Sequence, residues 1–157
     1  MNDEINKIID DCKSDLDKIE KWIQNNPLDT NTKYLVDYSI IRACGTIEVI
    51  FKRIVFDFLS KPAREETRYY LGKQIIESSC NPNTGNMLRM LEQIDTERRN
   101  KFDELIKGSN DKGSLTSLVN LRNTIAHGKT WNASINYVKK YFDAGLRILN
   151  NLESLML

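Results

Sequence analysis

Ile5, Ile8, Ile9, Cys12, Leu16, Ile19 and Ile23 recur at three- and four-residue steps, which places them on one stripe of a long first helix. The break at Asn25-Asn26-Pro27 should end it, because the residue before a proline avoids helical geometry. The pattern resumes with Ile41, Cys44, Ile47, Phe51, Ile54, Val55 and Phe58 on a second long helix. Thr30 or Thr32 is the expected cap, and Lys61-Pro62 the expected stop.

The middle of the chain is less periodic. Residues 63–79 predict a short polar helix closed by the Asn81-Pro82-Asn83 turn. Met87, Leu88, Leu91, Ile94, Phe102, Leu105 and Ile106 predict another helix, bent near Asp95. The run Gly108-Ser109-Asn110-Asp111-Lys112-Gly113 has loop composition. Leu115, Leu118, Leu121 and Ile125 then predict a short helix stopped by Gly128. A final helix from about Asn132 to Met156 carries Ile135, Val138, Phe142, Leu146, Leu149, Leu152 and Met156. The expectation is an all-α helical bundle in one domain over residues 1–157. It has two long N-terminal helices, shorter middle helices and a long C-terminal helix. Seven Gly and three Pro in 157 residues leave too few turns for a sandwich or barrel of short strands.

Composition narrows the function classes. Lys plus Arg number 23 against 22 Asp plus Glu, a formal net charge of +1, so no overall basic field draws the chain to nucleic acid or anionic lipid. At 40% hydrophobic and 29% charged residues, the chain is globular rather than disordered or membrane-embedded. No apolar run approaches the roughly 18 residues of a spanning helix. The opening MNDEINKIIDD is acidic and amphipathic, unlike a secretory leader. Cys12, Cys44 and Cys80 are odd in number and widely spaced, without a CxxC pair, so a zinc site is not expected. They predict reduced thiols in a cytosolic protein. No P-loop, G-x-G-x-x-G or G-x-S-x-G motif occurs.

The single histidine lies in Leu121-Arg122-Asn123-Thr124-Ile125-Ala126-His127-Gly128. At about 100° per residue, Leu118, Leu121 and Ile125 point one way, while Asn123 and His127 share a face away from them. Asn123 is expected to touch His127 and hold its ring. Arg122 falls between that polar face and the core, beside Val119 and Ala126. These small apolar neighbours could admit a partner helix or merely extend the core edge. An arginine fork matches phosphate oxygens, and an imidazole moves protons near neutral pH. No carboxylate cluster suited to magnesium stands beside them. Such a set can cleave a phosphodiester when the substrate brings its own nucleophile, as RNA does with its 2′-hydroxyl.

Arg122-Asn123-Thr124-Ile125-Ala126-His127 resembles the R-N-x-x-x-H motif of the HEPN superfamily, small α-helical proteins of toxin–antitoxin, phage-defence and RNA-processing systems. Arg42-Ala43-Cys44-Gly45-Thr46-Ile47-Glu48 is similar to the Gly-x-x-Glu region of some HEPN branches, including the RiboL-PSP-like and MAE_28990-like ones. The resemblance implies a metal-independent endoribonuclease without cofactor, in which the ribose 2′-oxygen attacks and leaves a 2′,3′-cyclic phosphate. It implies catalytic roles for His127 as general acid/base, Arg122 as phosphate grip and Asn123 as orienter. It further implies a homodimer whose two motifs face a shared cleft. A five-residue step turns about 140°, so Arg122 and His127 converge only by reaching around the helix or through a second copy. A non-catalytic module binding nucleotide, RNA or a partner protein is the alternative. Where one HEPN toxin branch has a modifiable Tyr two positions after the His, this chain has Lys129; an antitoxin, if present, works otherwise.

Glu48 lies at the margin of the second helix's apolar stripe, where a carboxylate needs a partner. Arg122 is the expected one, which would make Glu48 a supporting residue. The clusters Lys52-Arg53, Arg64/Arg68/Lys73, Arg98-Arg99/Lys101 and Lys139-Lys140 could track an RNA backbone, but interspersed acids favour solvated helix surface. Tyr69-Tyr70, Tyr137 and Tyr141 could stack bases, although the spacing of the last two fits packing better.

Overall fold

The computed structural model describes residues 1–157. It is built of seven α-helices with no strand. Helix α1 (Asp3–Asn25) opens on Asn2, whose side chain accepts the Ile5 N–H at 2.9 Å. Asp3 and Glu4 in its first turn complement the positive end of the helix dipole. Helix α2 (Thr32–Ser60) is the hub: it packs against α1, the middle segment and both C-terminal helices. Val36, Ile40, Ile47, Ile50, Phe51 and Val55 are all buried along it. Neither Thr30 nor Thr32 caps it, contrary to expectation. The turn is organised instead by Asp29, whose carboxylate accepts the Asn31 N–H at 2.7 Å, and the Thr32 hydroxyl is buried without a partner.

Helix α3 (Glu65–Leu71) buries none of its residues and runs into a single π-turn, Gly72–Ile76, which sinks Ile75 into the core. The predicted bend at Asp95 is a full break between α4 (Thr84–Ile94) and α5 (Thr96–Ile106). Asp95 is extended and caps α5 by accepting the Glu97 and Arg98 N–H groups at 2.9 and 3.2 Å. The backbone N–H of Arg98 holds this carboxyl below the usual range.

The loop expected over residues 108–113 is mostly helix. Only Lys107, Gly108, at φ 75°, and Ser109 connect α5 to α6 (Asn110–Ala126). Ser109 Oγ accepts the Asp111 N–H at 3.0 Å, and Gly113 lies inside the helix. Tertiary contact adds to the cap, because Arg147 of α7 (Ile135–Met156) grips both oxygens of Asp111 at 3.0 and 2.7 Å. These bonds hold the Asp111 carboxyl below the usual carboxylate range. A lowered folded-state value contributes stability above the unfolded value near 3.9, and that contribution disappears as pH falls through the folded value. The pair is solvent-accessible, so Asp111→Asn should cost at most about 1 kcal/mol at neutral pH. Melting curves of the variant and the parent should converge on acidification, as pH falls from the unfolded value near 3.9 through the lowered folded one.

Helices α1, α2, α4, α5, α6 and α7 all contribute to one continuous apolar core. A close crossing lies at Gly145 of α7, where a Cβ would collide with Ile47 Cδ1 and lie 3.2 Å from Cγ1. That close approach brings α2 against α7, with Leu115 of α6 also beside Gly145, and α6 packs on both helices. No helix is long and apolar enough to cross a membrane.

Candidate functional site

Helix α6 ends at the motif. His127 is its C-terminal cap, and Gly128 follows at φ 66°, a left-handed conformation open to glycine at little cost. The Lys129 N–H reaches Thr124 O at 3.0 Å and the Gly128 N–H reaches Ile125 O at 3.0 Å. This is the Schellman pattern, which satisfies the last carbonyls of the helix. The backbone of His127 is therefore fixed, while its side chain is exposed at the rim.

Arg122 is half-buried on the other side of the helix and has no carboxylate within ion-pair distance. Its Nη1 donates to Asn123 Oδ1 at 3.2 Å. That oxygen also accepts a long bond, 3.4 Å, from Asn81 Nδ2. Asn123 thus steadies the guanidinium rather than the His127 ring, correcting the sequence expectation. The reason is local: the only Asn123–His127 bond is the backbone one, His127 N–H to Asn123 O at 3.1 Å.

Glu48 also finds a partner other than the one expected. Its Oε1 lies 2.6 Å from Lys52 Nζ, one helical turn on, and accepts the Cys80 N–H at 3.1 Å. Lys52 is buried and donates in turn to Ser78 O. The Glu48–Lys52 pair therefore pins the segment Ser78–Asn81 onto α2, and that segment presents Asn81 to Asn123. Asn86 Nδ2 closes the arrangement by donating to Asn81 O at 2.8 Å. Glu48 reaches Arg122 only through this relay. Cys44 lies under it: burial pushes its thiol up to about 12, with Arg122 pulling down and Glu48 pushing up.

Asn81, Asn86 and Lys52 are site residues that the sequence pattern did not single out for this role. Asn81 read only as a turn residue, and Lys52 as surface charge. Most other candidate basic clusters are neutralised: Arg53 pairs with Glu4 and Asp57, Lys73 with Glu77, Arg98 with Asp95, Lys101 with Glu97, and Lys139 with Asp17 and Glu20. Arg89, whose charge is felt at the Cys80 thiol, joins Arg122 and Lys129 in having no carboxylate partner. Of the two small residues beside Arg122, Val119 is core and Ala126 is exposed.

The arrangement offers an unneutralised guanidinium, held by the Asn123 carboxamide that Asn81 in turn bonds, on the same helix end that exposes an imidazole. It can bind an oxyanion and exchange a proton beside it. Searches of curated proteins and of solved structures return no match. The family model described as RiboL-PSP-HEPN matches residues 2–157. That match covers almost the whole chain and includes the motif at the end of α6, so the protein belongs to the RiboL-PSP-HEPN family.

Proposed function

We propose that the protein is a metal-independent endoribonuclease in which Arg122, Asn123 and His127 form the working set. The observation that carries this reading is Arg122: a half-buried cation without a carboxylate partner, braced by Asn123, which Asn81 bonds in turn. A guanidinium so placed is ready for an anion. Arg122 grips the scissile phosphate and the charge that develops on it. An imidazole takes the proton from the ribose 2′-hydroxyl as the 2′-oxygen bonds to phosphorus. The bond to the 5′-oxygen breaks, and that oxygen receives a proton from imidazolium. The products are a 2′,3′-cyclic phosphate and a 5′-hydroxyl.

Arg122 and His127 stand about 140° apart around α6. A homodimer that sets the His127 of one copy opposite the Arg122 of the other completes the cleft. The setting that this chemistry suits is a toxin–antitoxin, phage-defence or RNA-processing system. The competing reading is a binding module that keeps the motif without cutting, and the unrestrained His127 ring is what favours it. Incubation of purified protein with total RNA in EDTA decides between them. Cleavage of RNA but not DNA, with cyclic-phosphate ends and dependence on His127, is the expected result. RNA binding without cleavage, or equal cleavage by His127→Ala, removes the nuclease reading.

Asn81→Ala tests the brace. Loss of one neutral, long hydrogen bond predicts a fall in kcat/KM of roughly threefold to tenfold. The melting temperature should change little, because Asn81 is held at its backbone by Asn86 and Cys80 by Glu48.

A further inference from the structure

A second concave surface lies on the other side of α6. It is a groove of about 540 Å³ between α6, the connection after Gly128 and the start of α7. Tyr137 and Tyr141 of α7 form one wall, their ring centroids 6.0 Å apart and their planes tilted by 31°. Ser117, Asn120 and Thr124 of α6 form the other, with Asn132 at the end. No charged side chain lines it. The Ser117 and Thr124 hydroxyls are occupied, donating to Gly113 O and Asn120 O at 3.0 and 2.8 Å. The Asn120 and Asn132 carboxamides make no bond within the chain and stay available. Tyr137 is 54% exposed, an open ring face on a helix that has ample core contacts elsewhere.

These features select a ligand chemistry. The lack of any cation argues against a phosphate, and the free carboxamides argue against a purely apolar occupant. A flat, neutral group with hydrogen-bonding edges fits both, stacking on tyrosine while its edge meets asparagine. Position points the same way. Asn120, Thr124 and His127 fall within about 60° of one another around α6, and Thr124 is only about 4.5 Å from His127 along the axis. The groove therefore opens on the His127 side of the motif, away from Arg122.

We propose that this groove is a nucleobase subsite: it holds one base of single-stranded RNA, next to the phosphate engaged by the same chain's His127 and the Arg122 of the second copy. Its placement along the strand rests on the nuclease reading above; its capacity to bind a base does not. Tyr137 is the stacking platform, and Asn120 and Asn132 meet the base edge, so the groove sets preference for the nucleotide flanking the cut.

The test separates binding from cleavage. A fluorescein-labelled single-stranded RNA, 2′-O-methylated throughout so that it cannot be cut, is titrated with the full chain and followed by anisotropy. Tyr137→Ala should weaken binding roughly tenfold, Tyr137→Phe by less than about twofold, and Tyr69→Ala, at an exposed tyrosine elsewhere, should bind as the parent does. Titration with adenosine 5′-monophosphate should also shift the Asn120 and Asn132 side-chain amide resonances, a readout independent of any variant's folding. Parent-like binding by Tyr137→Ala, or no RNA binding by the parent, overturns the subsite. So does a Tyr137→Ala protein that loses affinity only because sedimentation shows it losing self-association; the groove would then belong to a second copy. EDTA-resistant cleavage with unchanged KM in Tyr137→Ala sinks the subsite and leaves the nuclease standing. Tyr137-dependent binding without cleavage by the parent does the reverse.

Discussion

Replacing His127 by alanine should lower EDTA-resistant RNA cleavage by about a hundredfold to ten-thousandfold, the range that positioned acid–base groups supply. The substitution touches no core contact, since the ring is exposed and the helix end is capped by backbone bonds. Circular dichroism and melting temperature should therefore match the parent, which assigns the loss to chemistry. Arg122→Ala should cost about a hundredfold or more, because it removes charge stabilisation at the phosphate. Arg122→Lys should recover little, since an ammonium cannot reproduce the planar fork that bonds Asn123 and a phosphate together. If an Arg122→Ala chain and a His127→Ala chain are each inactive but mixing them restores part of the activity, the cleft is shared between copies. Mixing without recovery would confine each site to one chain.

Glu48→Ala should destabilise the protein by about 3 kcal/mol, because it strands a buried ammonium. The Lys52 side chain is 8% exposed and the Glu48 side chain 19%, so water cannot replace the lost carboxylate. The Cys80 N–H loses its acceptor in the same step. For a chain of this size that amounts to a fall in melting temperature of roughly 6–12 °C. Cleavage should fall too, through the loosened Ser78–Asn81 segment rather than through direct loss of an Arg122 partner. The double variant Glu48→Met with Lys52→Met should regain most of the stability, since an apolar pair can replace a buried ion pair without loss. It should not regain full activity, because Cys80 still lacks its anchor. A Glu48→Ala protein as stable and active as the parent would dismiss the relay altogether.

The long helices were legible because their stripes repeat at the helical period, and Ile5, Ile47 and Leu149 sit in the core as that period requires. Sequence and structure part where local composition competes with capping and tertiary contact. Two glycines made residues 108–113 look like a loop, yet Ser109 caps the turn and Arg147, distant in sequence, holds Asp111 in helical geometry. The motif residues were legible from spacing alone, but their partners were not. Asn81 comes to Asn123 across 42 residues, a contact that no periodicity encodes. The Glu48–Lys52 pair was within reach, since a glutamate four residues before a lysine is a favourable helical spacing. A glutamate at the edge of an apolar stripe is satisfied by the nearest cation, and here that is Lys52 one turn away rather than a distant arginine.

Cys80 makes a convenient handle of the unmodified chain. Cys12 and Cys44 are buried, whereas Cys80 is the one thiol that reaches the surface. Burial raises its protonation equilibrium, so a maleimide dye should couple slowly at neutral pH and faster in mildly alkaline buffer. The fluorophore would then stand one residue from Asn81, an optical reporter beside the motif that requires no engineered cysteine.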